Sequence, residues 1–310
     1  MALYVASGTY TGDGSNDRNI PVSPSFAIKY VMIKGNRSAT YPTGTAWMSI
    51  SGMGDSAFIG ASNDINRADY IQSMGTGTFQ IGTLGGVNEN TIVYNYFCLG
   101  GDDTEIFAST YIGTGVDGAA ITGVPFQPEL VITKGSGADN GYANMRFGTT
   151  GDSSQFFGDV QNLANYIQSL TSDGFTVGTG NSVNNAAVTY YYLAVRSVNG
   201  QTKVGSYTGN ATDPKDITDV GFQPELAWVK ADSGSFQLSW TDTGHTADTT
   251  SYPPQNSANF ANGIQSFLSN GFQLGSDTKV NNSGTTYYYY AVKNAAASAS
   301  VPFLPLLGVG

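Results

Sequence analysis

Two carboxylates recur in the same setting in this sequence, Glu129 in Phe126-Gln127-Pro128-Glu129-Leu130 and Glu225 in Phe222-Gln223-Pro224-Glu225-Leu226. A glycosidase needs two such groups across a sugar, about 5 to 10 Å apart. Both residues, however, follow a proline at the head of an expected strand, where proline harms a ladder least. Lys29 stands at the matching place nearer the N-terminus. The carboxylates therefore read as structural ion-pair partners. His245 is the only histidine, which excludes a His-rich metal site and makes any Ser-His-Asp triad hang on one residue. It sits in the polar run Thr241–Thr246, and a solvated loop histidine is the expectation. Cys98, the only cysteine, lies in the apolar run Tyr94–Leu99 and reads as a buried free thiol, with no disulfide framework. Asp13-Gly14-Ser15-Asn16-Asp17 opens like a calcium loop, but Pro24 falls where an EF-hand needs its glutamate; a looser loop site for calcium stays as a minor reading. A phosphate cradle and a dinucleotide fingerprint are both missing. No catalytic residue, metal or cofactor is assigned, and the expectation is a protein that is not an enzyme.

The residues that do recur with fixed spacing build a different kind of pattern. A cassette begins at Ile71, Ile167 and Ile264, a period of roughly 97 residues. Counting from the isoleucine, Gln and Ser follow immediately, then Phe79, Phe175 and Phe272, then Gly82, Gly178 and Gly275. Val87, Val183 and Val280 precede Asn88, Asn184 and Asn281, and Tyr94, Tyr190 and Tyr287 complete it. The chain is three tandem repeats, each too long for a solenoid turn and large enough for its own core. The expected division is 1–102, 103–200 and 201–295, with an apolar arm over 296–310.

Each unit opens with a strand and a Gly-rich turn, as in Gly8–Gly12, Ser109–Gly113 and Gly205–Gly209. Apolar spacing in Leu163, Tyr166, Ile167, Leu170 and in Phe260, Ile264, Phe267, Leu268 predicts a short helix before the cassette, closed by Asp173-Gly174 and Asn270-Gly271. The middles, 35–70, 135–166 and 231–263, read as variable loops. Units close on an aromatic strand, and Tyr287-Tyr288-Tyr289-Tyr290 has large bodies on both faces, so this strand is expected in mid-sheet, beside the opening strand. The fold class predicted is all-β: three tandem jelly-roll-like β-sandwich domains, each with one short helix.

Composition agrees. Tyr (19), Phe (16) and Gly (40) are abundant, which favours strands over helices. A net charge of −10 argues against nucleic acid and against an anionic membrane surface. No signal peptide and no membrane-spanning run is read in the chain, so a soluble protein folded in a reducing compartment is expected. The repeated asparagines read as turn closures and the tyrosine stripe as core, with ligand contact the other reading of each. Binding candidates lie in the variable middles: Tyr41, Trp47, Tyr142, Trp240 and Tyr252. The arm carries Val301, Phe303, Leu304, Leu306 and Leu307 between prolines. It reads either as a strip folded back on its own domains or as a hook docking into a partner subunit.

The units resemble a β-rich domain of unassigned function that recurs in tail, fibre and surface proteins of tailed bacteriophages. The pattern is fullest in Gly205–Gly209, Gly221–Lys230, Ser269–Gly275 and Asn281–Ala291, good in the second unit and degraded in the first, and it covers nearly the whole chain. The resemblance carries no catalytic residues. It implies a virion structural protein whose partners are other virion proteins, of capsid or tail. With the first repeat starting almost at Met1 and no shaft in the sequence, a capsid decoration protein, knob or short fibre is expected, with the three domains set as a pseudo-trimer; a homo-oligomer is an open expectation. The alternative is a receptor-recognition protein binding a host surface glycan, and a polysaccharide depolymerase is a third, weaker reading.

Overall fold

A computed structural model describes residues 2–37, 46–54, 56–58, 67–136, 142–158, 160–232, 238–252 and 257–295. The first unit runs β1 (Leu3–Thr11), β2 (Arg18–Pro21), β3 (Ile28–Gly35), β4 (Ala46–Ile50), β5 (Ala57–Phe58), β6 (Ile71–Met74), β7 (Thr78–Ile81), α1 (Gly85–Asn88) and β8 (Val93–Gly101). The second repeats it as β9 (Ile106–Ile112), β10 (Ala119–Thr122), β11 (Pro128–Gly135), β12 (Asn144–Phe147), β13 (Gln155–Phe156), β14 (Ile167–Thr171), β15 (Gly174–Val177), α2 (Asn181–Asn184) and β16 (Thr189–Arg196). The third has β17 (Thr202–Thr208), β18 (Lys215–Ile217), β19 (Leu226–Ala231), β20 (Ser239–Asp242), β21 (Ile264–Leu268), β22 (Gly271–Leu274), α3 (Thr278–Asn281) and β23 (Thr286–Val292).

The protein is all-β, and each unit is a sandwich of a large and a small antiparallel sheet. In the first the orders are β1-β8-β3-β4-β5 and β2-β7-β6; in the third, β17-β23-β19-β20 and β18-β22-β21. First and last strands pair, as do the second strand of the unit and the second strand of the cassette hairpin, which is a jelly-roll-like winding. The aromatic closing strand is central, flanked by the opening strand and the Lys-ended strand.

Alternation along these central strands decides where the cores lie. Val31 and Ile33 of β3 face the small sheet of their own unit, whereas Tyr30 and Met32 face the other way. The second face is not solvated. Tyr30, Met32, Phe97 and Leu99 pack with Leu130, Ile132, Leu193 and Val195 and with Leu226, Trp228, Tyr290 and Val292 in one cluster shared by all three units. A strand covered on both sides has no polar face to alternate with, which is why β8, β16 and β23 read as nearly continuous apolar runs.

Two expectations are corrected. The stretches 167–171 and 264–268 are strands, not helices, and the single-turn helices come later, after the repeated glycine. The reason is a β-bulge in every cassette: the register slips between Ile71 and Ser73, Ile167 and Ser169, and Ile264 and Ser266. One extra residue, the cassette glutamine, pushes the next inward side chain from two positions away to three, imitating a helical period. The variable middles are likewise not only loops, since β4, β12 and β20 lie within them and supply Met48, Met145 and Trp240 to the shared core.

Candidate functional site

The fixed cassette residues converge on backbone, not on open space. Asn184 is buried, and its Nδ2 donates to Val116 O and Gly178 O, each at 2.7 Å, while Oδ1 accepts from Thr114 N at 2.8 Å. Asn88 and Asn281 make the equivalent bonds to Ser15 O and Gly82 O, and to Thr212 O and Gly275 O. The amide therefore staples the Gly-rich opening loop to the repeated glycine, and its hydrogen-bonding capacity is used up there. The glycine itself has no room for a side chain: a Cβ on Gly178 would sit 2.4 Å from Asn165 O, and one on Gly82 2.3 Å from Asp69 O. Tyr190 Oη donates to Asn181 O at 2.5 Å and accepts from Asn185 N at 2.8 Å, closing both ends of α2; Tyr94 and Tyr287 do the same for α1 and α3. A hydroxyl not singled out by the sequence completes the set. Ser56, Ser154 and Thr250 each bond both the N–H and the C=O of the cassette isoleucine.

The arrangement closest to a catalytic constellation is Asp242, His245 and Ser251. His245 Nε2 lies 2.7 Å from Ser251 Oγ, and Nδ1 lies 3.0 Å from Asp242 Oδ1. The histidine is thus not the solvated loop residue expected: its side chain and that of Asp242 are fully buried, and so is Ser251. The proton order is wrong for hydrolysis. Ser251 donates to Asn259 Oδ1 at 2.9 Å, so Nε2 must donate to the serine, whereas a nucleophilic serine donates to its base. Nδ1 is close to Asp242 but not aligned as a directed hydrogen bond; Asp242 instead accepts from Gly244 N at 2.8 Å and Trp240 Nε1 at 3.0 Å. Asn259 Nδ2 then reaches Asn95 Oδ1 of the first unit at 2.9 Å. The cluster is an inter-unit strut.

Other polar contacts between units repeat in a cyclic sense. Lys34 is buried at the end of β3, and its Nζ donates to Gly35 O at 3.1 Å and to Ser257 O of the third unit at 2.5 Å. Lys230, its counterpart, reaches Val160 O of the second unit at 3.1 Å. Beside them Asn259 N donates to Asn36 Oδ1 and Asn162 Nδ2 to Asp232 Oδ1. The same contact therefore runs from the first unit to the third and from the third to the second, as heterologous interfaces do when they tend to a ring. Burial pushes the Lys34 amine down to about 7.

The repeated carboxylates sit at the joints, with neutral partners in place of the expected cations. Glu129 accepts from Thr202 Oγ1 at 2.9 Å, and Glu225 accepts from Asn294 Nδ2 at 2.6 Å. Asn294 Oδ1 in turn accepts from Val5 N at 2.8 Å, tying the end of the third unit to the start of the first. Lys29 at the matching place bonds Asp103 and Ile106 O.

The aromatic binding candidates are placed differently from expectation. Trp47 stacks on Tyr70, Trp240 packs against Phe97, and Tyr252 meets Phe260; Trp47, Trp240 and Tyr252 are all buried. The tryptophans are core residues because Trp47 on β4 faces the core of its own unit and Trp240 on β20 faces the cluster shared by all three. Tyr142 is half-buried, edge-on to Phe156. Tyr41 and the arm residues Val301, Phe303, Leu304, Leu306 and Leu307 lie outside the described residues. Cys98 is buried, and burial pushes its thiol up, away from nucleophilic ionisation. Among the described residues no group of three or more His, Cys, Asp or Glu side chains is placed to hold a metal ion, and no helix is long and apolar enough to cross a membrane.

Residues 197–301 match the profile of a family described as Domain of unknown function (DUF7483). The match spans the third unit and the joint before it. No curated protein matches the chain.

Proposed function

We propose that this chain is a non-enzymatic structural protein of a bacteriophage particle, displayed on the virion surface as a decoration, knob or short-fibre subunit. The observation that supports it is the use to which the conserved-spacing residues are put. Asparagine, glycine, tyrosine and valine of the cassette all bond or pack within the fold, and the triad-like cluster of Asp242, His245 and Ser251 is a buried strut with reversed proton order. What the chemistry builds is a three-lobed body with one shared core, suited to seating on a site of local three-fold symmetry. The virion assignment rests on the resemblance of the units to phage surface domains, and its partners are other virion proteins.

The test is to purify particles from an infection, detect the chain by mass spectrometry and locate it in a particle map. A three-lobed density at a local three-fold position is the expected result. A chain left in the lysate, or lobes strung out in line, overturns the proposal. Removing residues 301–310 is expected to leave the fold intact and to release the protein from particles.

A further inference from the structure

Two cassette positions, the glutamine and the serine, lie outside the cores, and both border a pocket that occurs twice. In the third unit the pocket measures about 180 Å³ and is walled by Thr241, Thr243, Thr246, Gln265, Ser266 and Phe267. In the first it measures about 270 Å³, with Ser49, Ser51, Gly54, Gln72, Ser73 and Met74. The two sets coincide position by position. Ser49 pairs with Val31 and Thr241 with Ala227 at the same step of the inner strand, and Gln and Ser follow the cassette isoleucine in both. In the second unit this step, opposite Val131, is Arg146. Its buried side chain runs across to the cassette, where Nη1 donates to Ile167 O at 3.0 Å. A long side chain thus lies where the other two units keep a short hydroxyl.

The lining selects the ligand. Among the described residues no lysine or arginine borders either pocket, and His245, which borders the third-unit pocket, has its side chain fully buried against Asp242 and Ser251, so a phosphate or carboxylate finds no accessible counter-charge. Asp242 borders the third-unit pocket, but its side chain is fully buried and bonded to Gly244 N and Trp240 Nε1, so a cation finds no exposed carboxylate. A hydrocarbon would strip water from hydroxyls and amides without replacing their bonds. What fits is a neutral ring bearing hydroxyls, bonded by Ser, Thr and Gln and laid by its C–H face against Phe267 or Met74. Both volumes fall below the ~300–1,000 Å³ of drug-sized sites, matching one ring rather than an oligomer.

We propose that these pockets are two saccharide subsites of one chain, and that Arg146 closes the third. They are distinct from the buried tryptophans, and the assignment does not rest on the virion reading. A shallow single-ring site binds weakly, with a Kd of about 1 mM; two on one rigid chain gain avidity on a dense glycan.

The experiment titrates the purified full chain with glucose, galactose, mannose and N-acetylglucosamine, followed by NMR shift perturbation and saturation transfer. At least one sugar is expected to bind with two sites per chain. The double variant Ser49→Arg, Thr241→Arg, which imports the arrangement the second unit already tolerates, is expected to weaken binding at least tenfold. Arg146→Ser is expected to raise the site count from two to three. Should the double arginine variant not fold, Ser73→Leu with Ser266→Leu, both at exposed positions, blocks the same pockets. No response to any of the four sugars at about 50 mM, far above the expected Kd, overturns the proposal, as does undiminished binding in the blocked variants.

Discussion

Replacing Trp228 by alanine tests whether the three units share one stability. Trp228 lies at the step of the central strand held by Met32 in the first unit and Ile132 in the second. It is fully buried and touches rings from every unit: Tyr30 and Phe97 of the first, Phe157 of the second and Tyr290 of its own. One large ring thus fills volume that the other two repeats leave with medium-sized side chains. A tryptophan buries about 200 Å², which at ~25 cal/mol per Å² is ~5 kcal/mol. Its indole N–H has no partner among the described residues, and removing that orphan returns about 1–2 kcal/mol. The net loss is about 3–4 kcal/mol, within the range for Trp→Ala in cores. At about 2–4 °C per kcal/mol the midpoint falls by ~6–16 °C. Calorimetry of wild type and variant is the assay, with limited proteolysis to report which unit opens first. One cooperative transition, shifted as a whole, is expected. Two transitions, with the first and second units still melting at the wild-type temperature, would refute the shared-core reasoning.

The amide staple predicts that Asn184→Asp costs about as much as Asn184→Ala, about 2–4 kcal/mol by chemical denaturation, because a carboxylate facing the carbonyls of Val116 and Gly178 cannot donate to either. Gly178→Ala should cost more than ~2 kcal/mol, since its Cβ would meet Asn165 O at 2.4 Å; a neutral result refutes the close approach. Lys34 is neutral in the fold above about 7 but charged in the unfolded chain until its ordinary range near 10.5. The unfolded state therefore binds more protons between those values, and wild-type stability relative to Lys34→Met should rise with pH from about 7 to 10 and be flat below. A flat profile over that range would show that the buried amine stays charged.

The repeat, the all-β class, the pairing of opening and closing strands and the mid-sheet place of the tyrosine strand were all legible in the sequence. They depend on local pattern: fixed spacing, turn glycines and apolar bodies on both faces of one strand. The bulge was not legible, because a single unpaired glutamine makes Ile167 and Leu170 look helical until β15 is seen pairing across the slip. Nor was the fate of the recognition candidates. Trp47 and Trp240 sit in segments of variable sequence, and only tertiary packing makes them core: Trp47 is covered within its own unit, and Trp240 where the three units meet. The same holds for His245, whose partners Asp242 and Ser251 are near in sequence but whose role is set by Asn259 and by Asn95, a unit away.

What the sequence alone determined is the unit, since each cassette residue bonds within its own repeat and its spacing encodes that bond directly. What the tertiary structure decided is how the units meet. Contacts between Lys34 and Ser257, or between Trp228 and Phe157, join residues with no common spacing, and the surfaces they hide are chosen only when three similar sheets exclude water from the same space.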